Sequence, residues 1–219
     1  GKIRKQGNIH QHLDLIAGLP YEDYESFGRS FDDVYALEPE QLQLGFLKLL
    51  KGSGLRRDAD KYGIVYADEA PYEVLYTKDI SFDGLLRLKG IEEMVETFYN
   101  SGKAKNTIRY MVEKNGRAFS FFETLALWWE KNGYDEISHS KMDLYGRLFD
   151  FFAEQAGFRE HLGHIRELLR FDIFLGDNMK NIPQSIERDQ SEEERKWERE
   201  FYENPENIEK YLPELGGHT

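Results

Sequence analysis

Near the start of the chain, His10, His12 and Asp14 stand at alternate positions in the run His10-Gln-His-Leu-Asp-Leu-Ile-Ala-Gly18. Side chains alternate across a strand, so these three groups share one face of an extended segment. Two imidazoles at i and i+2 can share a metal ion, and an imidazole beside a carboxylate can move protons. No third ligand stands nearby in sequence, which favours a polar face of hydrogen-bonded histidines over a metal site. Further along, Gln43 and Gly45 share one face of a second extended run. A glycine inside a strand can admit the close approach of a ligand. Lys48 falls with the opposite, oily face and reads as a lysine that carries its ammonium outward at the strand end. His161 and His164 lie one helical turn apart, beside Glu160 and Glu167. Such a pair binds zinc only with a further ligand, and solvated helix histidines are the simpler reading. Gly52-Ser53-Gly54 lacks the Gly-Lys-Ser/Thr ending of a phosphate loop. Trp128-Trp129 reads as core plus interface.

The elements that must hold these residues follow from periodicity. A first strand is expected over His10 to Ala17, with Leu13, Leu15 and Ala17 on its oily face. Gly18-Leu-Pro-Tyr-Glu22 ends it in a tight loop. Tyr24, Phe27, Phe31 and Val34 then form an amphipathic helical stripe, which Pro39 bars from continuing. A second strand is expected near Leu42 to Leu50, with Leu42, Leu44 and Phe46 inward and Gln41, Gln43 and Gly45 on the other face. Two parallel strands around one helix make a βαβ unit. Arg56 to Tyr62 predicts one or two helical turns capped by Gly63, and Tyr72 to Tyr76 a short β run. From Ser81, a plausible N-cap, five helical stripes follow. They run from Leu85 to Phe98, Ile108 to Val112, Phe119 to Trp129, Tyr145 to Phe152, and Leu162 to Ile173, punctuated by Gly102, Asn115-Gly116, Asn132-Gly133 and Gly157. Ser140 to Asp143 reads as a variant capping box opening the fourth. Short links place neighbouring helices antiparallel. The charged stretch from Ser185, with a capping box at Ser191 to Glu194, reads as a solvated helical tail. The expected organisation is therefore 1–70, an α/β piece; 71–184, an all-α helical bundle; and 185–219, a charged helical tail.

The chain has 219 residues, 40% of them hydrophobic and 14% aromatic, enough for a core without disulfides. A net charge of -12, from 41 acidic and 29 basic residues, argues against a general nucleic-acid binder. No run has the length of a membrane-spanning helix and no apolar leader opens the chain. A cytoplasmic home is expected, with neither nucleic acid nor membrane as a partner.

Asp14-Leu15-Ile16, followed by Gly18-Leu19-Pro20, resembles the late barrel strand D-L-I-x-G-L-P of the radical SAM enzymes. Gln41 to Gly54 is similar to the next strand and loop of that family, and Pro71 to Leu75 to a segment just beyond. Tyr99-Asn-Ser-Gly102 and Leu169-Arg-Phe-Asp172, with Pro183, resemble the helical C-terminal domain of its cobalamin-binding members. The likeness runs from about His10 to Pro183. It implies a fold that is the α/β remnant of a (β/α) barrel followed by a helical-bundle domain. It also implies an enzyme that cleaves S-adenosylmethionine reductively or transfers a methyl group through cobalamin, on an unknown substrate. In such a barrel the loops after the strands build the active site. The resemblance places Asp14, Ile16 and Gly18 near the adenosyl group of the cofactor, and His10, His12, Gln43 and Gly45 in the substrate lumen. The family's adenine motif, G-x-I-x-G-x-x-E, is met with Asp14 in place of its first Gly and Glu22 one position late.

The family holds a [4Fe-4S] cluster with a C-x3-C-x2-C loop, and such clusters need thiolate ligands. This chain has no Cys. The expectation is a C-terminal portion that binds no cofactor alone and is not catalytically competent alone. Its partner would be the N-terminal part of the same enzyme or, failing that, a second copy of itself. The competing class is a non-catalytic helical module that binds a protein partner. The bundle from Ser81 to Leu175 is expected to fold by itself.

Overall fold

The computed structural model describes residues 11–176, 182–187 and 192–211. His10 and the capping box at Ser191 lie outside them. The chain is predominantly helical. Among the described residues its strands are few and short, and no closed barrel is present. Packing groups the chain into two compact units, 1–139 and 140–219.

In the first unit, β1 (His12–Ala17) is followed by α1 (Tyr24–Tyr35) and then by β2 (Gln41–Phe46). The two strands run parallel, with Leu13 opposite Leu42 and Leu15 opposite Leu44. β2 is shorter than its apolar run predicts. After Phe46 the chain leaves the parallel pair, and Lys48 forms an isolated antiparallel bridge to Glu73. α1 starts at Asp23, whose carboxylate accepts the Ser26 N–H at 2.7 Å while the Ser26 hydroxyl receives the Asp23 N–H at 2.9 Å. That reciprocal box satisfies two donors which a helix start leaves bare. Its apolar stripe buries Phe27 and Phe31.

Two short helices, α2 (Gly54–Arg57) and α3 (Ala59–Tyr62), follow, and Gly63 closes them at φ 60°. A small antiparallel pair comes next, β3 (Val65–Tyr66) with β4 (Val74–Tyr76). Three helices complete the unit: α4 (Phe82–Met94), α5 (Lys105–Asn115) and α6 (Ala118–Lys131). Ser81 caps α4 by accepting the Gly84 N–H at 3.1 Å.

The stripe from Leu85 to Phe98 predicts one continuous helix. In the structure, Val95–Asn100 is instead π-helical. Widening the turn re-aims two side chains at the α/β piece. The Tyr99 hydroxyl donates to the Pro39 carbonyl at 2.6 Å, and Asn100 grips Leu42. The core beneath is aromatic: Phe31 meets Phe119 and Phe122 edge-on, with centroids at 5.7 and 5.9 Å. The α/β piece and α6 thus share one hydrophobic interior.

In the second unit, α7 (Lys141–Glu154) opens on the expected box between Ser140 and Asp143. It ends at Glu154, before Gly157, and a 3-10 turn over Ala156–His161 leads into α8 (Leu162–Gly176). Phe151, Phe152, Ile165, Leu169 and Ile173 are fully buried. α9 (Glu192–Glu203) and α10 (Pro205–Tyr211) form the charged tail, which docks Tyr202 on Phe174 with ring centroids 4.4 Å apart.

Candidate functional site

Strand pairing brings most of the candidate residues onto one surface. His12 lies beside Gln41, Asp14 beside Gln43, and Ile16 beside Gly45. In-register partners in a parallel pair present their side chains to the same face. His12, Asp14, Ile16 and Gln43 are exposed, whereas Leu42, Leu44 and Ala17 are buried. The sheet is therefore dressed on one side only. Ile16, an aliphatic residue 46% exposed, sits beside Gly45 towards the C-terminal end of the open face. A Cβ on Gly45 would meet only the Leu15 carbonyl oxygen, at an ordinary 3.6 Å. Nothing in the described chain requires a glycine there, and bare backbone beside Ile16 forms a shallow, partly apolar patch.

The loop after β1 closes one end of this face. Gly18 has φ 88°, and a Cβ there would lie 2.7 Å from Val74 Cγ1. Both the backbone and the packing of Val74 demand glycine. Tyr21 also takes a left-handed conformation, φ 68°, and is 71% exposed. Its N–H donates to Asp79 at 2.9 Å, Lys78 Nζ lies 4.9 Å from its ring centre, and Tyr62 meets it edge-on. Glu22 is half-buried. Burial raises its pKa, a hydrogen bond from Ser30 lowers it, and Asp23 raises it again. The Ser30 hydroxyl donates to its carboxylate at 3.5 Å from α1.

Sequence reasoning missed what fixes the sheet in place. The Asn100 amide donates to the Leu42 carbonyl and accepts the Leu42 N–H, both at 2.9 Å, so it imitates a neighbouring strand along β2. Asp32 accepts from Arg117 Nε at 2.5 Å and from the Phe119 N–H at 2.7 Å, which ties α1 to the start of α6. Neither pair leaves a local signal, although an Asn in the π-helical segment and an Asp on the rim of an apolar stripe are its traces.

Of the remaining candidates, Lys48 is exposed. His161 lies 3.5 Å from Glu160, and His164 is exposed on α8. Among the described residues no group of three or more His, Asp or Glu is arranged to hold a metal ion. His10 lies outside the described residues.

A family described as a protein of unknown function (DUF4080) matches residues 60–218. The chain belongs to this family. No curated protein matches it. The DUF4080 match takes in α3 to α10 and begins after β1, α1 and β2, so the open strand face lies N-terminal to the matched region. A helical DUF4080 region behind an α/β segment is consistent with a C-terminal domain of a larger protein. Among the described residues no helix is long and apolar enough to cross a membrane.

Proposed function

We propose that this chain is the C-terminal portion of a cobalamin-type radical SAM enzyme of unknown substrate. β1, α1 and β2 contribute the last part of its barrel, and the DUF4080 region follows them in the chain. The observation that carries the reading is the one-sided parallel pair. Parallel sheets are normally covered on both faces, yet here His12, Asp14, Ile16 and Gln43 are open to solvent while Leu42 and Leu44 are buried. A barrel lumen gives such a face its use. Ile16 and the bare backbone at Gly45 suit a planar base, with Asp14 and Gly18 at its margin. His12 and Gln43 suit polar contacts to a substrate.

The residues present do not suit the iron–sulfur cluster, because the chain holds no thiolate. Cluster, cobalamin and the larger part of the S-adenosylmethionine site belong, in this reading, to the N-terminal part of the same cytoplasmic polypeptide. The competing reading is a helical protein-interaction module without catalysis. The reading frame upstream of Gly1 separates the two. A C-x3-C-x2-C segment is expected there, and the complete polypeptide, reconstituted anaerobically, should cleave S-adenosylmethionine. An upstream frame without that segment would overturn the enzymatic reading.

A further inference from the structure

A groove of about 690 Å³ runs between α4 and α6. Its floor is apolar, built from Leu86, Gly90, Ala126 and Leu127. Gly90 sets the helices close together, since a Cβ there would already lie 3.4 Å from the Ala126 methyl. Leu86 and Leu127 remain 49% and 45% exposed. The walls are acidic: Asp83, Glu92, Glu93, Glu123, Glu130 and Asp135 face Arg87 and Lys89, an excess of four negative charges. Lys89 is engaged by Glu73, and Glu123 accepts from the Tyr24 hydroxyl at 2.6 Å.

At the far end of the groove Glu92 and Glu93 precede Met94 on α4, and Glu130 follows Trp129 on α6. Burial raises the pKa of Glu93, and Asp135 raises it further, while His139 acts the other way. Burial likewise raises Glu92, with Glu96, Glu93 and Glu73 adding to it and Lys89 opposing. Burial first, and neighbouring carboxylates second, disfavour the charged form of both. Trp129, which also lines the groove, is 2% exposed, its indole packed against Phe98, Tyr134 and His139, and its buried N–H has no acceptor among the described residues. A buried donor without an acceptor is costly and rare.

We propose that this groove docks a basic amphipathic segment of a partner polypeptide. Lysine or arginine heads meet the carboxylates while their aliphatic stems and apolar neighbours cover Leu86 and Leu127. A small polyamine would answer the carboxylates but would supply no apolar side chains to cover Leu86 and Leu127.

The test uses the full chain and a synthetic amphipathic helix of leucine and lysine, titrated by calorimetry at low salt with tryptophan fluorescence as a second readout. One-to-one binding is expected, weakened roughly tenfold or more by the pair Glu93→Gln and Glu130→Gln. The pair Glu192→Gln and Glu193→Gln removes the same charge from the exposed start of α9 and should leave binding unchanged. Circular dichroism confirms that each variant is folded. Three outcomes would overturn the proposal. The native chain shows no binding; both pairs weaken binding equally, which reduces the effect to net charge; or spermidine binds as tightly as the peptide, which makes the groove a site for small polycations.

Discussion

Gly18 and Gly45 sit in neighbouring strands or strand ends, yet the chain needs only one of them. Gly18→Ala meets Val74 and a left-handed backbone at once. We expect it to cost about 2 kcal/mol in denaturant unfolding. Val74→Ala in the same chain should recover part of that, because the collision goes and the backbone strain stays. Gly45→Ala should be close to neutral. The groove carboxylates carry a pH signature of opposite sign to the usual one. Burial raises the Glu93 pKa above its unfolded value, so its ionised form disfavours folding. That penalty is fully present above the folded pKa and fades as pH falls toward the unfolded value near 4.5. Glu93→Gln should therefore stabilise the chain at pH 7 by about 0.5 kcal/mol or less, given partial exposure, and the gain should shrink as pH approaches 4.5. An equal gain at both ends of that range would contradict the cause. The turn at Gly18 was legible in sequence, since an alternating run that stops at Gly-Leu-Pro has few other uses. The roles of Asn100 and Asp32 were not, because their partners stand 58 and 85 residues away.

Among the elements, α1 bears directly on one expectation. Its stripe of Tyr24, Phe27 and Phe31 was legible from spacing alone, and so were the helices from Ser81 to Ile173. What they would pack against was not. The bundle was expected to fold without the first 71 residues. In the structure, Phe27 and Phe31 cover Phe119, and Asp32 supplies the acceptor for the start of α6. Removing residues 1–71 would strip Phe119 and Phe122 of their cover. The truncated chain should lose cooperative melting in the α4–α6 region, seen as a broadened, lower-temperature helical transition. A sharp melt at the native temperature would show that α1 is dispensable. The point variant Asp32→Ala isolates the polar part of the same joint and should cost about 2 kcal/mol by leaving Arg117 and the Phe119 N–H without their acceptor. The π-helical stretch was also beyond reach, for an apolar stripe is compatible with either helix until the position of β2 selects one.

At the scale of the molecule, the open face and the strand edge belong together. Among the described residues β1 has a strand neighbour on one side only, and such an edge is a template for another chain. In this account its natural cover is the N-terminal part of the same polypeptide. Alone, the chain should self-associate through β1, and light scattering after size exclusion should report a species larger than a monomer. Leu13→Lys should weaken that association, because a charge on the half-buried face is costly to cover. The most direct test of the central claim is S-adenosylmethionine affinity measured on the complete, anaerobically reconstituted polypeptide, native against Gly45→Val. A loss of tenfold or more is expected in the variant, with the melting temperature of the present chain unchanged by the same substitution. Equal affinity in the two polypeptides would contradict the placement of this strand face at the cofactor.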